Sequence, residues 1–217
     1  MKIRVKAVIK QSMRCGGFTL IEMLVVIGII GILSAALMTS FSYMKVNARQ
    51  AQAQALVSET ASALTFYLQS NREWPDELST RTEMDLTACW VLQKEHLLDV
   101  TGGQVYSSTN SSLDRFGLLD PWGRAALRKN PMITSDSVTI EGGTKLSDHR
   151  IQYRLDLNMD GYVDQSEGAP MGVKVRAPVI VWSRGPDGKD DADKGGSRYP
   201  RDDRLSWNYD QARKESQ

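Results

Sequence analysis

The chain has 217 residues, 41% apolar and 24% charged, with a formal net charge of +1, two cysteines and two histidines. That length allows one modest domain beyond a membrane helix, and the scarcity of histidine and cysteine excludes a His-based metal site and a multi-disulfide scaffold. Lys2, Arg4, Lys6, Lys10 and Arg14 all fall in a leader, residues 1–17, that has no acid; removing it takes the formal charge from +1 to −4, which leaves no footprint for nucleic acid.

The basic leader ends in Gly16-Gly17. From Phe18 to Met44 the chain is apolar all round and carries one formal charge, Glu22. At ~1.5 Å per residue such a run is long enough to cross the hydrocarbon core, which takes ~20 residues. The positive-inside rule keeps the leader in the cytoplasm and sends the C-terminal region outward. A carboxylate inside such a helix costs roughly 2.5–3.5 kcal/mol or more and marks a function with a partner. No Lys or Arg lies in this run. Were Phe18 a new N-terminus, its amine would supply the cation. In a bundle of parallel copies, Glu22 of one chain could then pair with the Phe18 amine of a neighbour, which makes assembly depend on cleavage.

At Gly17-Phe18-Thr19-Leu20-Ile21-Glu22 the sequence resembles the prepilin peptidase site of type IV pilins and pseudopilins. The resemblance implies cleavage between Gly17 and Phe18, N-methylation of the Phe18 amine, and a subunit-docking role for Glu22. Many members carry a proline late in this helix, where this chain has Thr39. An ordinary signal peptide places its apolar core before the cleavage site, whereas here the core follows it.

Residues 45–75 continue the helix in a different composition, rich in Ala and Gln. Ala53, Leu56, Val57, Thr60, Leu64, Tyr67 and Leu68 recur at helical spacing and give one apolar face for core packing. Asn71 and Trp74-Pro75 end it, because proline cannot continue a helix. Residues 76–217 form the outward domain. A second helical signal runs from Leu86 to Leu98 and stops at Thr101-Gly102-Gly103, and the Ser/Thr/Asn-rich stretch 104–117 reads as a loop. Cys15 goes with the leader, which leaves Cys89 as a lone thiol among apolar neighbours, a buried structural cysteine.

Asp120-Pro121-Trp122-Gly123 is similar to the turn before the small sheet of major pseudopilins, and Arg124–Arg128 reads as a weak strand after it. Val138–Ile140, His149–Leu155 and Val173–Trp182 alternate as strands, with Pro178 marking an edge or a break in the last. The fold class is α+β: a long N-terminal helix, half transmembrane and half amphipathic, packed on a small antiparallel sheet with calcium-type loops.

The first such loop spans 156–167, Asp-Leu-Asn-Met-Asp-Gly-Tyr-Val-Asp-Gln-Ser-Glu, and matches the twelve-residue calcium pattern throughout. Asp156, Asn158 and Asp160 give oxygens at alternate positions, Gly161 allows the sharp turn, Tyr162 offers its carbonyl, Asp164 acts through water, and Glu167 binds with both oxygens. Val163 takes the usual place of an apolar anchor. The flanks are a strand and Gly168-Ala169-Pro170, so the loop resembles an EF-hand loop grafted into a sheet. The second loop, Ser183 to Asp193, resembles the C-terminal calcium loop of major pseudopilins. The resemblance implies Asp187 as a carboxylate ligand and Arg184 and Lys189 as carbonyl ligands. The further carboxylate is open: Asp191 or Asp193 by spacing, Asp202 or Asp203 by the approach to Trp207.

The resemblance thus implies a structural subunit, not an enzyme. It would be a pseudopilin of a type II secretion system, single-pass in the inner membrane with a periplasmic domain. It would form homo-oligomers through its N-terminal helices, meet other pseudopilins and an inner-membrane assembly platform, and hold Ca2+. The alternative is a major or minor pilin of a type IV pilus, serving adhesion, motility or DNA uptake. A membrane-tethered enzyme finds no nucleophile–base pair in the sequence.

Overall fold

The computed structural model describes residues 19–97, 116–140, 142–170, 173–190 and 203–207, apart from the side chains of residues 36, 38–40 and 42. The leader with Gly17 and Phe18, the Gly102-Gly103 stop and the polar stretch 104–115 lie outside these residues, as do Asp191, Asp193 and Asp202. The chain divides into two compact units, Met1–Lys45 and Val46–Gln217.

Helix α1 runs from Leu20 to Asn71. Thr19 caps it, donating from both its amide and its Oγ1 to Glu22 Oε2 at 2.8 and 2.7 Å, while the Glu22 amide donates to Thr19 Oγ1 at 3.3 Å. This is a capping box, in which the first-turn amides and a glutamate three residues on satisfy each other. In the first unit the apolar side chains face outward, Ile32 being 74% and Leu20 83% exposed. Among the described residues no helix is long and apolar enough to cross a membrane.

In the second unit α1 buries Ala53, Leu56, Val57, Thr60, Ala63 and Leu64. These positions follow the three- and four-residue spacing of one helix face. Arg72, at φ 60°, ends the helix in the left-handed region. The helix Tyr67 stacks on Trp74 beyond that end, with ring centroids 6.5 Å apart.

The sheet has three antiparallel strands in the order β1-β2-β3: β1 Gln152–Leu155, β2 Val179–Ser183 and β3 Arg204–Leu205. Leu155 pairs with Val179 and Trp182 with Leu205. Strand alternation divides β2 between two cores. Val179 and Val181 join Tyr153 and Leu155 in the cluster that contains Leu56, Val57 and Leu64 of α1. Ile180 and Trp182 face the other way, onto Val163, Val173 and Val175. A third cluster gathers Phe116, Leu119, Leu127, Ile133 and Leu146.

Two short helices follow α1: α2, Asp76–Ser79, and α3, Leu86–Lys94, which the Asp85 side chain caps by accepting from the Ala88 amide. The predicted second helix is therefore shorter than its signal, and His96 at φ 56° lies beyond it. Cys89 is buried in the main core and free, its Sγ 3.6 Å from the Met84 carbonyl.

The expected strand at Arg124–Arg128 is instead part of helix α4, Pro121–Lys129. Asp120 accepts at its N-cap, Pro121 pre-sets the first turn, and Arg128 and Lys129 fall in the last turn, where cations favour a helix end. The Asp-Pro-Trp-Gly segment is a helix start rather than a turn into the sheet. Val138–Ile140 forms only a single bridge, Thr139 to Lys145, and His149 ends a 3-10 turn, Leu146–His149, before β1. Pro178 is a break: β2 begins at the next residue, and the Pro178 carbonyl accepts from the Asp156 amide at 3.0 Å.

Candidate functional site

Three sites follow from the sequence, and the structure adds a fourth. The helix start has been described above: Glu22 is exposed and bonded to Thr19, in the same first turn of α1 that the sequence reading assigns to subunit docking.

The loop 156–167 leaves β1 directly. Asp156 is 3% exposed, and its two oxygens accept from the Asp160 and Gly161 amides at 3.2 and 2.8 Å. Asn158 Oδ1 accepts from the Asp160 amide at 2.9 Å, and Asp160 Oδ1 from the Tyr162 amide at 2.8 Å. Gly161, at φ 87°, takes the turn in a region that a side chain would strain. Glu167 reaches back across the loop, its Oε1 accepting from the Leu157 amide at 2.6 Å and its Oε2 from the Asp164 amide at 3.3 Å. Asp164 accepts from the Ser166 hydroxyl and amide, and these bonds hold its carboxyl below the usual range.

Val163 is fully buried and pairs with Val175, so the predicted apolar anchor pins the loop to the second core. From the other side, the indole N–H of Trp74 donates to the Asp156 carbonyl at 3.0 Å. The aromatic-proline pair at the end of α1 thereby ties the helix to the first residue of the loop. The donor set is all oxygen, which suits a hard cation such as calcium. Among the described residues, no three acidic, histidine or cysteine side chains converge as a metal cluster. The carboxylates spend their lone pairs on the loop's own amides.

In the second loop Asp187 accepts from the Lys189 amide at 3.1 Å. Arg184 does more than offer a carbonyl: its Nε donates to Asp190 Oδ2 at 3.2 Å. Asp190 Oδ1 also accepts from the Trp182 indole at 2.7 Å, and Trp182 meets Trp207 edge-on at 6.1 Å. In the sequence nothing singles out Asp190 beyond its place eight residues after Trp182. Asp191 and Asp193 lie outside the described residues.

The fourth arrangement centres on Asp120. Its Oδ1 accepts from the Trp122 and Gly123 amides at 3.0 and 2.9 Å. Its Oδ2 takes Ser183 Oγ at 3.0 Å and His149 Nδ1 at 3.3 Å. A carboxylate only accepts, so in the neutral ring the proton sits on Nδ1, and Nε2 accepts from Thr144 Oγ1 at 3.0 Å. Gly123 lets α4 lie against the imidazole: a Cβ there would come 2.8 Å from that of His149. Asp, His and a hydroxyl in series have the order of a hydrolytic triad. Here Asp120, His149 and Ser183 are at most 1% exposed and Thr144 is 7% exposed, so no substrate carbonyl reaches the hydroxyl. The group is a clasp joining α4, the 3-10 turn and the end of β2.

Residues 12–38 match the prokaryotic N-terminal methylation motif. Over 111 residues the chain is 29% identical to a fimbrial protein of Neisseria meningitidis serogroup B, strain ATCC BAA-335 / MC58. That match covers 50% of this chain and 65% of the fimbrial protein. No solved structure is a significant match. The likeness to N-terminally methylated, pilin-like proteins is thus carried by residues 12–38 and by the fimbrial relative, and the second unit packs a helix on a three-stranded antiparallel sheet.

Proposed function

We propose that the chain is a pseudopilin, a filament subunit of a type II secretion system in the inner membrane. The supporting observation is the outward apolar face of α1 beside Glu22. Such a surface is costly in water and satisfied in lipid or among parallel helices of other copies. Cleavage between Gly17 and Phe18 frees an amine one residue before the Thr19 cap. Glu22 then exchanges its bonds to Thr19 for that amine, N-methylated, on a neighbouring copy. The subunit waits single-pass in the inner membrane with residues 45–217 in the periplasm, and assembles with other pseudopilins on an inner-membrane platform. Secretion rather than a pilus is favoured by the absence of a disulfide partner for Cys89 once the leader is removed. Pilins more often close the C-terminal end with a disulfide.

The same reading gives the loop 156–167 a calcium ion. Asp156, Asn158, Asp160 and Glu167 would hold it with the Tyr162 carbonyl, and Asp164 through water; Asp187 with Arg184 and Lys189 would form a second site. Bound calcium offsets the repulsion of clustered carboxylates and ties the loop closed in a small domain without disulfides.

Deletion of the gene in its own cell tests the choice of machine. Loss of secreted proteins from the medium, with surface pili intact, is the expected result. Loss of pili with secretion intact supports the second reading, a pilin, which the fimbrial relative favours. Mass spectrometry of the mature N-terminus should find N-methylated Phe18, and an unprocessed chain would sink both readings.

A further inference from the structure

One peptide unit of the second unit, Asp156 to Leu157, is held at both of its polar ends. Its carbonyl, that of Asp156, accepts from the Trp74 indole N–H at 3.0 Å. Its amide, that of Leu157, donates to Glu167 Oε1 at 2.6 Å. The series runs from indole N–H to carbonyl and from amide N–H to carboxylate. Each bond in such a chain polarises the next, so a donor on the Asp156 carbonyl strengthens the hold of the Leu157 amide on Glu167. The two residues that open and close the twelve-residue pattern, Asp156 and Glu167, therefore meet at this unit. The Asp156 amide is fixed as well, donating to the Pro178 carbonyl at 3.0 Å.

Trp74 stands 82 residues before Asp156, outside the loop pattern, and is itself held in place. Its ring lies within 8° of parallel to that of Tyr67, packs against the main core, and is followed by Pro75. The indole N–H thus reaches the loop from a fixed platform at the end of α1.

We infer that Trp74 is a positioning residue for the cation of the loop 156–167. Through the Asp156 carbonyl it sets the peptide that carries the first ligand and steers the last. The inference rests on the calcium reading of that loop given above.

Without the indole N–H, the peptide loses the bond that sets its tilt and Glu167 loses part of its alignment. Calcium needs that carboxylate to present both oxygens, whereas magnesium is smaller and takes fewer protein oxygens. Loss of the Trp74 bond should therefore cost calcium more than magnesium. Partners one bond removed from a metal ligand commonly contribute about 10–100-fold in affinity. The coupling is reciprocal: if the bond favours the ion, the ion favours the bond by the same factor.

Titration calorimetry of the full chain in neutral detergent micelles, with calcium chloride and with magnesium chloride, tests the inference. Trp74→Phe keeps an aromatic ring beside Tyr67 and removes the N–H. It should bind calcium about tenfold more weakly, with a smaller change for magnesium. Tyr67→Leu removes the stack and keeps the N–H. It should lower the melting temperature and leave calcium affinity near that of the wild type. A second measurement needs no variant: calcium should slow hydrogen exchange of the wild-type Trp74 indole N–H about tenfold, read by NMR. Wild-type calcium affinity in Trp74→Phe, or unaltered indole exchange, would overturn the inference and leave the calcium reading standing. Equal losses for both ions, or an equal loss of calcium in Tyr67→Leu, would reduce Trp74 to a support of the domain and overturn it as well. If the wild-type chain takes up no calcium, or Asp160→Ala takes up as much, the calcium reading of the loop itself fails and the inference falls with it.

Discussion

The two halves of α1 are one helix with opposite relations to their surroundings. From Leu20 to Lys45 its large apolar side chains are exposed, whereas from Val46 to Asn71 Leu56, Val57 and Leu64 sit in a closed core. The second half is held by tertiary packing, the usual source of helix stability in a folded domain. The first has no such support among the described residues, and the proposed function supplies it from lipid or from other copies. If the first half serves assembly, as proposed, substitutions in the two halves should separate folding from assembly.

The largest expected effect is in the folding half. Leu56→Ala removes a side chain 1% exposed and should lower the unfolding free energy by about 2–5 kcal/mol in urea titration. A loss below ~1 kcal/mol would mean that α1 is not part of the core. Asp120→Ala comes next. It removes the α4 cap and strands His149 and Ser183, and should cost about 2–3 kcal/mol by the same measurement.

A pH titration sharpens the contrast within the core. Burial pushes the Cys89 thiol up to about 12. A raised folded pKa gives stability that is complete below the unfolded value, ~8.5, and is lost as pH rises towards the folded one. Unfolding free energy should therefore fall between about pH 8.5 and 12, and Cys89→Ala should flatten part of that slope. Below pH 8, thiol reagents should label Cys89 only after unfolding.

Calcium should raise the melting temperature more than magnesium, with Asp160→Ala removing most of the shift. If only Asp187→Ala removes it, the ion belongs to the second loop. If calcium does nothing, both metal assignments are wrong.

The smallest effect on stability should come from the first half, Leu20 to Lys45. Ile29, 52% exposed, can become Ala with less than ~0.5 kcal/mol change in the unfolding of the second unit. Filament yield should nevertheless drop. A variant that unfolds the domain but assembles normally would reverse the division of labour.

Much of this was legible because its signals are local. The apolar run with Glu22, the face Ala53–Leu64, the break at Pro178 and the anchor Val163 all follow from spacing over a few residues. The Thr19 cap on Glu22 was equally readable as Thr-x-x-Glu, but the membrane pattern overshadowed it. The segment after Asp120 shows a competition between signals: similarity to a turn pointed to a strand, while Asp at the cap and Pro in the first turn, both on the page, made a helix.

By itself the sequence determined the long helix, its change of character near Lys45 and the oxygen-rich loop, because helix and loop chemistry is set by neighbours along the chain. Only the tertiary structure decided that Asp120 meets His149 and Ser183, 29 and 63 residues away, and that Asp190 takes the Trp182 indole. Contacts between distant segments leave no periodic trace. They are selected when packing closes around groups whose hydrogen bonds and charges must be satisfied away from water.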